Sequence, residues 1–380
     1  MFSCRKRPSA VCLRGVNDGP DNRNYGWVCE HDPYDSSSMP RKHTALGRFR
    51  HENTSFRHVP GKKFVIYMGD DQNNEALYKF VSDRSYIPGD RANNLKILES
   101  GTLYVARWEP EGRRRFTAQG QVEPITAETG SGRWEAIPPE GLSDTRGYLT
   151  SKYGDRASLT SENGLHYATN RPEDVEVGPD GEVYIALSNN TSVGDAYGSV
   201  RKLVERRNDP TATSFAWIDY AVGGPVSAGG SGMDSPDNLV FDSQENLWVM
   251  TDISTGSLNS GVHAFHANNA AFMIPTQGEN AGVAFRFANL PREAEGTGPY
   301  FSPDESTLFI NVQHPGEQAG VLGSAAVFGQ PSTYTSYWPR GNKTAESNPS
   351  EPIPATVAVT RVKGHKAKGS RAIPRRRTKR

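Results

Sequence analysis

The stretch Arg171-Pro172-Glu173-Asp174-Val175-Glu176-Val177-Gly178-Pro179-Asp180-Gly181-Glu182-Val183-Tyr184-Ile185-Ala186-Leu187-Ser188-Asn189-Asn190 decides the fold. Val175 and Val177 alternate with polar residues, as in a half-buried strand. Gly178 to Gly181 reads as a tight turn, with proline presetting φ and glycine free to take positive φ. Val183 to Leu187 is apolar and β-branched at strand length. The stretch is therefore a β-hairpin with one guanidinium and two carboxylates at its mouth.

The hairpin repeats. Pro236 to Asp252 lies on Pro172 to Ser188 without a gap, setting Asp237 on Glu173 and Ser243 to Asn246 on the turn. A third copy runs from Phe301 to Val312 and continues into the polar tip Gln313-His314-Pro315-Gly316. Alternating segments after the copies, Val200 to Leu203, Gly261 to Phe265 and Ala355 to Val362, read as outer strands. Looser relatives occur at 62–81 and 101–108, whereas 110–165 is polar and poor in pattern, suited to loops or a few helical turns. Strand, turn, strand and outer strand at intervals of roughly 60 residues mark propeller blades with long inserted loops. The expected fold is all-β: a β-propeller over 21–362, between an irregular segment 1–20 and a basic disordered tail 363–380.

Composition agrees. With 38 glycines and 26 prolines in 380 residues the chain favours turns over long helices, and 35% hydrophobic content suffices for a core. Its zero net charge hides an asymmetry. Residues 361–380 hold ten Lys/Arg and no acid, leaving 33 basic against 43 acidic groups in 1–360. An acidic body suits divalent cations rather than nucleic acid. The tail lacks interleaved aromatics, so it reads as a solvated end rather than a nucleic-acid patch. Cys4, Cys12 and Cys29 lie early, without zinc spacing. No apolar run of membrane-spanning length is present, and Met1 to Gly15 shows no signal-peptide core.

Inner strands of a propeller converge on one end of a central channel. That geometry gathers Glu173, Asp174, Asp237 and Asn238, with Glu295 and the Asp70-Asp71 pair as further candidates. Clustered carboxylates must share a proton or a cation, and oxygen donors suit Ca²⁺. Asp180 and Asp304 read as turn residues, and Asp252 as the end of a strand. Arg171 suits either a bidentate grip on phosphate or carboxylate, or a salt bridge to its acidic neighbours. His51-Glu52 sits at another polar tip, offering imidazole and carboxylate. No nucleophile elbow, His-Glu-x-x-His motif or Walker loop occurs.

Several of these segments together resemble the PhoX-type alkaline phosphatases, β-propeller phosphomonoesterases that depend on calcium and iron. The similarity runs through Asp21 to Val28, Thr44 to Glu52, Tyr67 to Asp71, Glu99 to Ala106, Arg171 to Asp174, Ser235 to Asn238 and Phe309 to Gly316. The resemblance implies Glu52, Glu173 and Asp237 as metal ligands for Ca²⁺ and Fe³⁺, with Glu295 and Asp70 as calcium partners. It implies Arg171 as the phosphate-binding residue and small phosphate monoesters as substrates, for a monomeric enzyme of periplasmic or extracellular type. Family members carry a long N-terminal half with a Cys-Glu-Glu type segment that this sequence does not show. The expectation is an N-terminally incomplete propeller with an incomplete iron site and activity in question. Two other readings of the residues remain: a calcium-dependent propeller lactonase, which has no need of Arg171, and a non-catalytic propeller binding module.

Overall fold

A computed structural model describes residues 22–111, 116–117, 120–121, 124–154, 167–317, 335–339 and 352–361. The irregular segment 1–20, Cys4, Cys12 and the tail 363–380 lie outside the described residues. After a short ribbon of Val28–Glu30 and Arg41–His43, the chain builds three larger antiparallel sheets, besides a two-stranded one of Phe116–Thr117 and Gly120–Gln121. The first contains β1 (Ser55–Arg57), β2 (Lys63–Gly69), β3 (Leu77–Ser85), β4 (Gly101–Pro110), β5 (Thr129–Ile137), β6 (Pro172–Val177), β7 (Val183–Leu187), β8 (Ser199–Glu205) and β9 (Ser214–Val222). The second contains β10 (Pro236–Phe241), β11 (Asn246–Thr251), β12 (Ala270–Pro275) and β13 (Phe285–Asn289). The third contains β14 (Glu295–Phe301), β15 (Thr307–Gln313) and β16 (Ala355–Thr360). This is the all-β, propeller-like architecture that the repeats imply. Among the described residues no helix is long and apolar enough to cross a membrane.

The nine-stranded sheet departs from separate blades. Its order is β6-β7-β8-β9-β5-β4-β3-β2-β1, so two blade-like halves join edge to edge through β5. That strand falls in the stretch read as poorly patterned; α1 (Thr145–Tyr153) follows it. Glycines disguise β5, and one of them is required: a Cβ on Gly132 would sit 2.3 Å from the Phe215 ring of β9. The sheet curls until its two end strands face each other. There, side chains replace a backbone ladder. Asn53 Nδ2 donates to Val175 O at 2.9 Å, and Ser55 Oγ accepts from Val177 N at 3.0 Å.

The turn of the opening hairpin forms as read, with Gly181 at φ +85°. A Cβ there would meet the Arg57 guanidinium, which itself donates to Gly181 O at 3.2 Å. The expected outer strand at Gly261 to Phe265 is corrected. Gly261–His263 is a 3₁₀ turn, and the strand paired with β11 is Ala270–Pro275. Its Ala-Ala-Phe-Met-Ile-Pro run is almost wholly buried, so it carries no alternation for the eye to catch.

Inside the curl, Trp108, Trp134, Phe215 and Trp217 pack on Val65, Val183 and their neighbours. A buried ion pair, Lys79 with Glu205, lies among them. Lys79 Nζ is 2.9 Å from Glu205 Oε1, and both groups are almost fully buried. Glu205 also accepts from Tyr67 OH at 2.9 Å and Trp134 Nε1 at 3.0 Å, while Lys79 donates to the Pro210 and Ala212 carbonyls. Burial pulls the Lys79 pKa down to about 8 and pushes that of Glu205 up. Such a pair survives only because every polar valence is met. Lys79→Met is expected to cost about 3–5 kcal/mol by leaving Glu205 charged and unpaired. Urea unfolding checks this, and the double variant with Glu205→Leu should recover most of the loss. A single-variant cost below about 1 kcal/mol would show that the pair is replaceable by water.

Candidate metal centre

The inner strands share one irregularity at their mouths. Register breaks between Pro172 and Val175 in β6, between Pro236 and Leu239 in β10, and between Thr297 and Tyr300 in β14. A bulge leaves consecutive residues outside the regular alternation, so neighbouring side chains take different tasks. The tasks repeat along the chain in three dyads: Glu52-Asn53, Glu173-Asp174 and Asp237-Asn238. The second member binds the next strand's backbone. Asn53 Oδ1 accepts from Val175 N at 3.1 Å, Asp174 Oδ2 from Leu239 N at 2.7 Å, and Asn238 Oδ1 from Gly298 N at 2.8 Å.

The first members meet. Carboxylate oxygens of Glu52, Glu173 and Asp237 lie within 4.8 Å of one another, and so do those of Asp237, Asp252 and Glu295. Asp237 belongs to both groups. Of the five residues expected as ligands, the structure brings Glu52, Glu173, Asp237 and Glu295 into these groups. Asp70 does not join them. It is buried against Arg146, whose Nε donates to Oδ2 at 2.9 Å, and it also accepts from Arg50 N at 3.1 Å. Its neighbour Asp71 faces the site instead. His51 also turns away, its ring 3.7 Å from that of Phe49 and its Nε2 3.1 Å from Gly47 O; burial lowers its pKa to about 4.

Arg171 holds the strained left-handed conformation, φ +49°, as does Ser235 before the matching proline. Its Nε donates to Asp71 Oδ1 at 3.0 Å and its Nη2 lies 2.6 Å from Glu173 Oε1. Ser188 Oγ donates to the same Glu173 oxygen at 2.7 Å. Asp252, read from sequence as punctuation, occupies the position of Ser188 in the next repeat. Its N–H donates to Ser235 O just as that of Ser188 donates to Arg171 O. The gapless alignment of the two hairpins carried that signal. His314 is the other residue that sequence reasoning left without a role: Nε2 is 3.2 Å from Glu295 and Nδ1 3.1 Å from Glu317. The hydrogen bond to Glu295 raises its pKa to about 9, so it stands as an imidazolium.

The carboxyls of Glu52, Glu173, Asp237 and Asp252 are held above their ordinary range. Burial and then Glu173 raise Asp237; burial is also the main cause for Glu173, opposed by Arg171. Burial and then Glu295 raise Asp252 to about 7, while burial and then Asp71 raise Glu52. Clustered acids short of counter-charge keep protons until a cation replaces them. The donor set is all oxygen, which fits a hard divalent cation such as Ca²⁺. Cys29, the one cysteine among the described residues, is exposed on the N-terminal ribbon and belongs to neither group.

A propeller-like sheet array thus carries two carboxylate groups that share one aspartate and could hold cations, with an arginine braced beside them. The model of the PhoX alkaline phosphatase family matches residues 14–316, and the chain belongs to that family. The chain is similar to the solved structure of Pseudomonas fluorescens PhoX in complex with vanadate, a transition state analogue, at 29% identity and a TM-score of 0.70. That match covers 89% of this chain and 58% of the other, so the chain spans somewhat over half the length of its solved relative. A comparison with curated proteins gives no match.

Because metal binding needs the ionised carboxylates, adding Ca²⁺ to metal-free protein at pH 7 is expected to release protons. A weakly buffered titration with a pH electrode reads this directly. Glu173→Gln and Asp237→Asn should each reduce the yield. Calcium binding without proton release would place the cation elsewhere.

Proposed function

We propose that the chain is a metal-dependent phosphomonoesterase that hydrolyses small phosphate monoesters. The observation that carries the reading is the pair of carboxylate groups joined at Asp237 with Arg171 held beside them. Glu52, Glu173, Asp237, Asp252 and Glu295 would hold the cations. Calcium matches the oxygen-only donors, and Fe³⁺ is the second metal that the family resemblance implies. Bound cations supply the positive charge that neutralises a phosphate and its developing transition state.

The residues of the chain do the positioning. Asp71 and Glu173 take the Nε and Nη2 of Arg171, leaving Nη1 without a partner among the described residues and directed by two fixed anchors. A guanidinium so held donates to a phosphate oxygen with little further loss of side-chain entropy. Asp71 also prevents Arg171 from collapsing wholly onto Glu173, which must stay available as a ligand. Ser188 and Asn238 orient Glu173 and Asp237 through hydrogen bonds of 2.7 and 3.0 Å. The vanadate held by the Pseudomonas relative supports the same reading, since that protein accepts a transition-state analogue on a fold of this kind. A calcium-dependent lactonase has no use for so elaborate a brace on an arginine.

The metal-loaded chain is expected to hydrolyse p-nitrophenyl phosphate at alkaline pH, with calcium stimulation and loss on chelation. Glu173→Ala should abolish turnover. Arg171→Ala should lower kcat/KM by about 100–1000-fold, the scale for losing one positioned donor to transition-state charge. Wild-type protein that binds calcium yet releases no phosphate, with hydrolysis of lactones instead, would overturn the proposal. Metal analysis of the purified chain distinguishes calcium from iron.

A further inference from the structure

Arg171 is not alone as a cation held against the carboxylates. Gln313 ends β15, and with His314 after it closes on Glu295, an acid of the second group. Gln313 Nε2 donates to Glu295 Oε2 at 2.6 Å, and His314 Nε2 lies 3.2 Å from the same oxygen. Glu295 Oε1 has no hydrogen-bond partner among the described residues. On its other side, His314 Nδ1 is 3.1 Å from Glu317 Oε2, near enough to share charge but out of line for a hydrogen bond. An ionised carboxylate only accepts, so a ring set between two of them carries both of its protons.

The two carboxylate groups are thus flanked alike. Arg171 lies between Glu173, a member of the first group, and Asp71, which belongs to neither. His314 lies between Glu295, a member of the second, and Glu317, which also belongs to neither. Both cations sit in the left-handed backbone region, at φ +49° and +35°, a conformation that persists only where surrounding contacts hold it. Glu317 is anchored in turn: its Oε2 accepts from Thr255 Oγ1 at 3.2 Å, and its N–H donates to His314 O at 3.1 Å. The two differ in what they leave free. Arg171 keeps Nη1, whereas both ring nitrogens of His314 face acids. An imidazolium paired with Glu295 alone would compete with a metal cation for that carboxylate. A second acid at the other nitrogen draws part of that charge away.

We propose that Glu317 is a positioning residue of the metal centre: by sharing the His314 imidazolium, it leaves Glu295 open to a divalent cation. The proposal rests on the cation-binding half of the reading above, not on the ester hydrolysed. Removing the outer acid should therefore hinder a cation, and removing the charge of the ring should help it.

Calcium titration calorimetry of the metal-free chain at pH 7 reads both effects without turnover. Glu317→Gln should weaken calcium binding about three- to tenfold, the scale of one partly solvated charge pair. His314→Gln, which keeps a donor toward Glu295 without the charge, should tighten binding by a similar factor. In the His314→Gln background, Glu317→Gln should change binding by less than about twofold, because Glu317 acts through the ring. Weaker binding in both single variants is the mark of plain scaffolding and overturns the proposal. So does an unchanged Glu317→Gln protein, or a loss that persists in full in the His314→Gln background. His314→Asn takes the place of His314→Gln if circular dichroism shows that variant to be unfolded. A wild type that binds no calcium overturns the proposal together with the metal centre. Calcium binding without phosphate release defeats the phosphatase reading alone, and the opposite shifts of the two variants still decide the role of Glu317.

Discussion

The mouth of the molecule depends on three hydrogen bonds of one kind, each from an inner-strand N–H to an Asx side chain of the preceding dyad. They join Val175 to Asn53, Leu239 to Asp174 and Gly298 to Asn238. A bulge necessarily leaves ladder groups unpaired, and a buried N–H without a partner costs about 1–3 kcal/mol. The Asx residue satisfies that group and, being adjacent to an acid, sets where the acid goes. Register between neighbouring strands and position of the carboxylates are consequently one constraint. Move a stitch and a ligand moves with it.

Strain follows from the same arrangement. Arg171 and Ser235 each take φ +49° ahead of a proline, a conformation costing about 1–3 kcal/mol for a residue with a Cβ. Both are held by a hydrogen bond to their carbonyl from the residue that ends the next strand, Ser188 or Asp252. The two hairpins thus share a backbone solution while differing in chemistry. In one, the strained residue is an arginine and the strand-ending residue a hydroxyl that orients Glu173. In the other, the strained residue is a serine and the strand-ending residue is itself an acid. Duplication of a scaffold with exchange of two side chains is enough to give one mouth a braced arginine and the other a further carboxylate.

Much of this was legible in the residues, because a hairpin turn and a period-two pattern are local. The Glu173–Asp237 correspondence needed only two copies of the hairpin laid together. Asp70 and Asp71 show where such reading stops. Consecutive residues of a strand face opposite ways, so choosing between them requires the register against Arg50 and Glu52, which is not a local property. β12 was displaced for a different reason: a strand buried on both faces has no alternation, while the exposed loop around Val262 happened to show some. β5 was hidden by Gly130 and Gly132, residues demanded by close neighbours rather than by the strand itself. Asp252 is visible in the alignment as the counterpart of Ser188, whereas taken alone it reads as an aspartate that ends a strand.

Electrostatics then links the fold to its cargo. Glu173 and Asp237 are buried with Asp252 half-buried beside them, and their raised pKa values express desolvation and repulsion that favour bound protons. Arg171 and the His314 imidazolium offset part of that charge, but each is already committed, to Asp71 and Glu173 in one case and to Glu295 and Glu317 in the other. A fixed internal cation in the middle of the cluster, like Lys79 against Glu205, would have settled the charge permanently and closed the site to any ion. Leaving the deficit open makes the stability of the mouth depend on what binds there. Binding of a cation there would be a single equilibrium with the ordering of the inner strands, because the carboxylates that it would draw together are placed by the same dyads that stitch the strands.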